Sequence, residues 1–206
     1  MPQSFKPKNI YIVGAQCTGK TSLVNALESS FANLSNTTPP IIVREVARSV
    51  LKIHGFTASD ITSDPARCLQ LQALILEAQF NSERKALAEN SWIISDRSGL
   101  DPLIYASRHI GSEAVKLMAS SNYWQELRNR MSQSLVFVCE TVEAWLVSDG
   151  VRLMPRDLED WMEYDDEFCR MLDGAGIPYQ IIPRTVESLE DRASFVWSRW
   201  KMATLD

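Results

Sequence analysis

Short apolar runs alternate with longer amphipathic segments along the chain. The first run, residues 9–13, is rich in β-branched side chains and ends at a glycine, which is typical of a buried parallel strand. The next segment, residues 19–31, places Leu23, Leu27 and Phe31 four residues apart, so that one face of a helix is apolar. The beginning of the chain is therefore predicted to form a strand, a loop and a helix in that order.

The same alternation recurs to the end of the chain. Further strands are predicted at residues 41–43, 92–95, 135–138 and 179–182. Helices are predicted at residues 64–89, 102–108, 112–118, 124–131, 157–172 and 188–200, and a loop at 55–63. Asp64 is expected to cap its helix, with Pro65 at the first helical position. Strands that alternate with helices predict an α/β fold, in which helices cover both faces of a parallel sheet.

Composition and charge narrow the class of protein. The 206 residues fit one domain with a small lid, and 45% of them are apolar, as in ordinary globular proteins. The net charge of −5 argues against a nucleic-acid-binding surface. No apolar run approaches the ~18 residues of a membrane span, and the polar N-terminus does not resemble a signal peptide. We therefore expect a cytoplasmic protein whose four cysteines are reduced.

A phosphate-binding motif lies between the first strand and its helix. Residues 14–21 read GAQCTGKT and match G-x-x-x-x-G-K-[ST]. The two glycines let backbone N–H groups turn towards phosphate oxygens at the N-terminus of the helix. Lys20 is expected to contact the β and γ phosphates, and Thr21 to place its hydroxyl on Mg²⁺. The residues expected to bind the nucleotide are Gly14, Gln16, Cys17, Thr18, Gly19, Lys20, Thr21, Ser22 and, after the fifth strand, Arg184.

Four segments together give the chain a family resemblance. They are GAQCTGKTSLVNAL at the phosphate loop, REVAR after the second strand, ISDRSGLDPLIYA at the third strand and SDGVR before a late helix. With them, nearly the whole chain resembles the bacterial nicotinamide riboside kinase domain and its eukaryotic, AAA-like P-loop relatives. The resemblance implies a three-layer P-loop NTPase fold with a five-stranded sheet in the order 2-3-1-4-5. It also implies ATP as the phosphoryl donor and a hydroxyl of a nucleoside-like molecule as the acceptor.

Two carboxylates that follow strands are the candidates for the chemistry. Phosphoryl transfer needs a base near the acceptor hydroxyl and a carboxylate near Mg²⁺. Glu45 follows the second strand and is our first candidate for the base, since nucleoside kinases carry a glutamate at a corresponding place. Asp96 ends the third strand and is a candidate metal ligand, directly or through water, or the base itself. The structural alternatives are a salt bridge for Glu45 and a helix cap for Asp96.

Basic and aromatic residues complete the predicted acceptor site. Arg97 resembles the arginine that kinases of this class use to hold substrate or phosphate. Arg48 would share a helical face with Glu45 if a helix begins there, and both could then contact the acceptor. Tyr105 is expected either to line the acceptor pocket or to pack in the interior. Asp101 is expected to cap a helix that begins at the next residue.

The polar stretch after the fourth strand, at about residues 147–157, is predicted to form a mobile lid. Its DGVR segment makes Arg152 the first candidate, and Arg156 the second, for a cation that stabilises the transition state. A closed lid would also exclude the water that otherwise hydrolyses ATP. An ordinary surface loop is the alternative.

Three functions stay open on the sequence alone. The first is an ATP-dependent kinase with a small-molecule acceptor. The second is a GTPase-like switch, because residues 96–99 match the D-x-x-G that senses the γ phosphate, although N-K-x-D occurs nowhere in the chain. The third is a nucleotide-binding piece of a larger protein. The identity of the acceptor and the oligomeric state stay open, with a homodimer as one option.

Overall fold

A five-stranded parallel sheet organises the computed structural model, which describes residues 7–32, 38–57, 59–146 and 155–205. The strands are β1 (Ile10–Val13), β2 (Ile41–Val43), β3 (Ile93–Asp96), β4 (Leu135–Cys139) and β5 (Gln180–Ile182). They run in the order β2-β3-β1-β4-β5, and each pairs in parallel with its neighbour. The α/β fold predicted from the pattern is confirmed, as is the strand order implied by the resemblance.

Helices cover both faces of this sheet. They are α1 (Lys20–Phe31), α2 (Ala47–His54), α3 (Ser59–Ser63), α4 (Pro65–Glu89), α5 (Leu100–His109), α6 (Ser112–Ala119), α7 (Asn122–Ser132), α8 (Leu158–Ala175) and α9 (Leu189–Leu205). A short 3₁₀ turn, Glu143–Trp145, follows β4. Within the described residues, no helix has both the length and the apolar character that a membrane crossing requires.

The prediction for residues 55–63 is wrong in part, because α3 forms within that segment. The sequence pattern also did not predict α2, which begins shortly after β2 ends. Each of these short helices buries one residue, Val50 in α2 and Ile61 in α3, and both side chains pack in a cluster against α4. Helices this short depend on tertiary packing rather than on their own periodicity, so local sequence patterns detect them poorly.

The central strand β1 explains why its sequence is apolar without interruption. All four of its residues are fully buried. Ile10 and Ile12 face a cluster formed with α1 and α9, whereas Tyr11 and Val13 face a cluster formed with α4, α5, α7 and α8. Burial of each such side chain contributes about 1.5–3 kcal/mol. Packing on both sides of the sheet therefore anchors β1, and β1 in turn holds the loop that follows it.

The long helix α4 begins at a side-chain cap, as predicted. Asp64 Oδ1 accepts hydrogen bonds from the backbone N–H groups of Ala66 (2.9 Å) and Arg67 (3.1 Å), and Pro65 follows at the first helical position. These bonds satisfy two of the N–H groups that every helix leaves without an internal partner.

Asp64→Ala is expected to lower the free energy of unfolding by about 1 kcal/mol, because the cap is lost and nothing replaces it. Asp64→Asn is the matched control and should retain most of the stability, since its amide oxygen can accept the same bonds. Urea denaturation of the three proteins measures the difference. Equal losses of stability in both variants would show that the negative charge of Asp64, rather than its capping hydrogen bonds, stabilises the helix.

Candidate active site

The phosphate loop connects β1 to α1 at the carboxyl edge of the sheet. Gly14 and Gly19 adopt φ values of +135° and +75°, which glycine reaches without steric cost. A Cβ at Gly14 would lie 2.6 Å from the carbonyl oxygen of Cys139 on β4, so no side chain fits there. Cys17 also has a positive φ of 60°, which is a strained conformation for a residue with a side chain. The loop is therefore shaped for close approach of its backbone to a ligand.

Lys20 is buried at the beginning of α1, inside this loop. Its Nζ donates hydrogen bonds to the carbonyl oxygen of Ala15 and to Thr18 Oγ1. Burial, together with the positive charge of Arg97, lowers the pKa of Lys20 to about 8. In water-excluded surroundings the charge of this ammonium is screened weakly, so its attraction for a phosphate is strong.

Thr21 and Asp96 meet at the same edge of the sheet. Thr21 Oγ1 donates a hydrogen bond of 2.6 Å to Asp96 Oδ2, and Asp96 is almost completely buried at the end of β3. A loop hydroxyl next to a strand-end carboxylate is the ligand pair that holds Mg²⁺ in P-loop enzymes, where waters and phosphate oxygens supply the other ligands. Asp96 does not cap α5, whose first turn follows Gly99.

Arg97, directly after β3, lies between two carboxylates. Its Nε donates to Glu45 Oε1 at 2.8 Å, and its Nη1 donates to Asp101 Oδ1 at 3.0 Å. Burial alone would lower the pKa of Arg97, but Glu45 and Asp101 raise it above its ordinary value. The backbone of Arg97 has a positive φ of 83°, so the chain turns at this residue, directly after β3. Strain of this kind is common at functional sites.

Asp101 has a different position from the one expected. Helix α5 begins at Leu100 rather than at Pro102, and Asp101 lies in its first turn. Its Oδ2 accepts hydrogen bonds from the backbone N–H (2.8 Å) and the hydroxyl (3.0 Å) of Ser98. The prediction of a helix cap is therefore wrong, since the carboxylate reaches back to close the turn that carries Arg97.

Glu45 also contacts Arg48. The Nε of Arg48, in the first turn of α2, lies 3.4 Å from Glu45 Oε2. Because the Arg48 side chain is 45% exposed, this ion pair is weaker than the one with Arg97, whose side chain is only 11% exposed. The salt bridge that was the structural alternative for Glu45 is thus present, and it is compatible with a role as base.

A cleft lies between the phosphate loop, α2, α3, α4 and α5. Its polar lining includes Gln16, Glu45, Arg48, Gln72, Gln79, Arg97, Ser98, Asp101 and Tyr105. Its apolar walls include Leu51, Ile61, Leu71, Ile75 and Pro102. A cleft in which polar groups converge between apolar walls is typical of a small-molecule site.

Gln16 and Tyr105 meet in this cleft. The Tyr105 hydroxyl donates to Gln16 Oε1 at 3.2 Å, while Trp161 Nε1 of α8 donates to the backbone oxygen of Gln16 at 2.9 Å. Tyr105 therefore lines the pocket, which was one of its two expected positions. The side chain of Gln16 contributes to the wall of the cleft, and its expected contact with the nucleotide stays a prediction.

Arg184 and Arg156 do not line this cleft. Arg184 donates from its backbone N–H to Glu140 Oε2 at 2.8 Å, and its Nη2 lies 3.6 Å from Asp165 Oδ2. Arg152, with most of the predicted lid, lies outside the described residues. Arg156 is exposed and bonds Asp160 near the beginning of α8. The expected contact of Arg184 with the nucleotide and the expected role of the lid stay predictions.

Comparison with known proteins now identifies the family. The family model described as an AAA domain matches residues 9–192, which is most of the chain. The chain belongs to this AAA domain family.

Individual relatives are more distant than the family match. A thymidylate kinase from Shewanella loihica is 31% identical over 106 residues, which make up 48% of this chain and 49% of that protein. A solved NadR protein in complex with NR has a TM-score of 0.71 at 16% identity, over 94% of this chain and 51% of that chain. A deoxyadenosine kinase from M. mycoides with bound dATP has a TM-score of 0.66 at 12% identity, over 94% of this chain and 99% of that one.

These solved structures show the fold alone at such low identity. This AAA domain has the fold of P-loop nucleotide and nucleoside kinases. The chain spans about half the length of the thymidylate kinase and of the NadR chain that it matches.

Sequence reasoning missed a buried polar network behind the cleft of the AAA domain. Glu83 is fully buried and accepts hydrogen bonds from the Tyr11 hydroxyl (2.6 Å), Arg130 Nη1 (2.6 Å) and Gln79 Nε2 (2.8 Å). Gln79 Nε2 also donates to Ser95 Oγ at 2.9 Å, next to Asp96. The available signal was that Glu83, a charged residue, falls at helical spacing within the apolar stripe of α4.

Arg130→Met is expected to lower the free energy of unfolding by about 3 kcal/mol, because Glu83 then stays buried without its cation. Arg84→Met is the matched control, since Arg84 is an exposed arginine that stacks over Phe80 and donates to Asn81 Oδ1 at 3.3 Å, and it should cost less than about 1 kcal/mol. Chemical denaturation compares the two. A loss at Arg130 no larger than that of the control would contradict a required ion pair.

Proposed function

We propose that this protein is an ATP-dependent kinase that transfers the γ-phosphoryl group to a hydroxyl of a nucleoside-like acceptor. The proposal rests on one observation, that two parts of a transferase site lie side by side. The phosphate loop with the Thr21–Asp96 pair forms one half, and the cleft beside it carries Glu45 and Arg97. A switch protein needs only the first half, whereas a transferase needs a second, concave site next to the γ phosphate.

Each residue has a distinct role in the proposed reaction. Lys20 binds the β and γ phosphates with the backbone N–H groups of the loop. Thr21 and Asp96 would hold Mg²⁺, which neutralises charge on the phosphates when it is bound. Glu45 accepts the proton of the acceptor hydroxyl, whose oxygen forms a bond to the γ phosphorus while the bond from phosphorus to the bridging oxygen of ADP breaks. Arg97 orients Glu45 and offers positive charge to the phosphoryl group in transit.

The charge of the cleft supports a neutral acceptor rather than a phosphorylated one. Among the described residues that line it, the two guanidinium groups are Arg48 and Arg97, and both pair with Glu45. Arg97 pairs with Asp101 as well. A monophosphate would bring about −1.5 to −2 further charge into a lining whose cations and carboxylates already balance. A nucleoside, with its uncharged sugar and base, fits the apolar walls without that cost.

Release of ADP tests this proposal. ATP with Mg²⁺ is incubated alone, with a panel of nucleosides and with the corresponding monophosphates. We expect release that depends on a nucleoside, with little stimulation by its monophosphate. Stimulation by monophosphates alone would replace the proposed acceptor with a nucleotide. Slow release that is indifferent to every acceptor, together with tighter binding of GTP than of ATP, would instead support a GTPase-like switch.

A further inference from the structure

The C-terminal helix α9 brings a buried arginine to the phosphate loop. Arg192 is only 1% exposed, and its Nη1 donates a hydrogen bond of 2.7 Å to the backbone oxygen of Thr18. The two residues are 174 positions apart in the sequence, so no motif connects them. Arg192 thus adds a second buried positive charge to the loop that already holds Lys20.

The charge of Arg192 has no counter-charge in the described part of the chain. Its Nε and Nη2 atoms are buried and make no hydrogen bond, and no carboxylate among residues 7–32, 38–57, 59–146 and 155–205 forms an ion pair with it. An arginine withdrawn from water normally pairs with a carboxylate and satisfies its N–H groups, because burial of an unpaired charge is strongly unfavourable. An anionic ligand would remove this penalty.

The surroundings of the guanidinium keep it next to the loop. The ring of Trp145 lies over it, with 4.7 Å from the guanidinium carbon to the ring centroid. On the loop side, a Cβ added to Gly19 would lie 3.2 Å from Arg192 Nη1 and 3.0 Å from the Trp145 ring. The guanidinium is therefore enclosed between an aromatic face and the backbone at the beginning of α1, where a triphosphate binds in proteins with this motif.

We propose that Arg192 is a binding residue for the triphosphate of the donor nucleotide. Its charge complements that of Lys20, and its Nε and Nη2 groups donate to phosphate oxygens. The triphosphate is the anionic part of the donor, which is why an unpaired cation at the loop points to it rather than to the base or the ribose. The inference shares with the proposed function only the nucleoside triphosphate as ligand, and it needs no acceptor.

A purely structural role is the competing explanation, because the bond to Thr18 also braces the loop. Binding measurements separate the two roles. Titration calorimetry with Mg²⁺ and no acceptor gives the affinity for ATP and for inorganic tripolyphosphate, which lacks the nucleoside. The proteins are the wild type, Arg192→Met and Arg192→Lys. Arg199→Met is the matched control, because Arg199 is an exposed arginine on the same helix that stacks over Phe195. Thermal unfolding without ligand checks that each variant folds.

We expect Arg192→Met to weaken both ATP and tripolyphosphate by about 10- to 100-fold, as for the loss of charge-assisted hydrogen bonds. Arg192→Lys keeps the charge but has one donor nitrogen in place of three, and it should lose about 3- to 10-fold. Arg199→Met should bind both ligands like the wild type.

Wild-type affinity for both ligands in a folded Arg192→Met variant would overturn the proposal. The only role of Arg192 would then be structural, through its hydrogen bond to Thr18. Weaker binding of ATP with unchanged binding of tripolyphosphate would also overturn it, since the contact would then be with the nucleoside. If Arg192→Met does not fold, Arg192→Lys decides, and wild-type affinity there for tripolyphosphate would contradict the proposal. None of these outcomes depends on phosphoryl transfer, so failure of the kinase assay is recognised separately.

Discussion

Lys20→Ala is expected to weaken ATP binding by about 100-fold or more and to abolish ADP release. Lys20 is buried in the phosphate loop, where removal of one partner of a desolvated charge pair typically costs 2–5 kcal/mol. The same burial lowers the pKa of Lys20 to about 8, because nearby negative charges do not fully offset the cost of burying the ammonium. A bound phosphate would supply the missing negative charge, so the ammonium should bind it strongly. Titration calorimetry with ATP and Mg²⁺, followed by a turnover assay, measures both effects.

The matched control for this prediction is Lys116→Ala. Lys116 pairs with Glu113 on the surface of α6, far from the loop in sequence, and its side chain is 72% exposed. Its loss should change neither affinity nor turnover. The unfolding temperature of Lys20→Ala without ligand should stay close to that of the wild type, because removal of a buried cation also removes its desolvation cost. Affinity for ATP that survives in Lys20→Ala would contradict the assignment of the loop as the triphosphate site.

Glu45→Gln is expected to lower kcat by about 100-fold or more while ATP affinity stays near the wild-type value. The amide keeps the size of the side chain but cannot accept the proton of the acceptor hydroxyl, and a positioned base contributes 10²–10⁴ in rate. ATP binding should be spared because Glu45 contacts Arg97 and Arg48 in the cleft rather than the phosphate loop. Asp101 continues to hold Arg97 in the variant.

Two further variants make this result specific. Glu28→Gln removes a surface carboxylate that pairs with Arg44 and should leave kcat unchanged. Asp96→Asn changes the partner of Thr21 and should raise the Mg²⁺ concentration needed for activity. Full activity in Glu45→Gln together with loss of activity in Asp96→Asn would transfer the role of base to Asp96.

The donor half of the site was predictable because its information is local. Gly14, Gly19, Lys20 and Thr21 lie within eight consecutive residues, and their spacing alone defines the loop. The apolar run of β1 likewise reflects burial on both sides, which needs no knowledge of what packs there. Topology then brings Asp96 to Thr21, because β3 and β1 are parallel neighbours whose carboxyl ends coincide.

The acceptor half was predictable only in part. Glu45 and Arg97 follow strands whose ends meet at one edge, whereas Arg48 was expected near Glu45 only if the two shared a helical face. Both arginines do pair with Glu45, although α2 begins after Glu45, at Ala47. The turn at Asp101 was not predictable, since an aspartate next to a proline also fits a helix cap. Asp101 also contacts Arg97, whose positive φ no local propensity reveals.

Contacts between distant segments account for the rest. The Glu83 network joins β1, α4 and α7, and the contact of Arg192 with Thr18 joins the two ends of the chain. Periodicity describes the face of a single helix, not the partner that it meets. The sequence indicates such a residue only when a charged position falls within an apolar stripe. Its partners can be identified only from the folded structure.

Transfer of label from γ-labelled ATP distinguishes phosphoryl transfer to a nucleoside from simple hydrolysis of ATP. Wild-type protein and Glu45→Gln are each incubated with labelled ATP, Mg²⁺ and the nucleoside that stimulates ADP release most. We expect label on the nucleoside as a phosphate ester, formed by the wild type at least about 100-fold faster than by the variant. Label that appears only as inorganic phosphate, at the same rate with and without nucleoside, would contradict the claim that this fold transfers a phosphoryl group to a small-molecule acceptor.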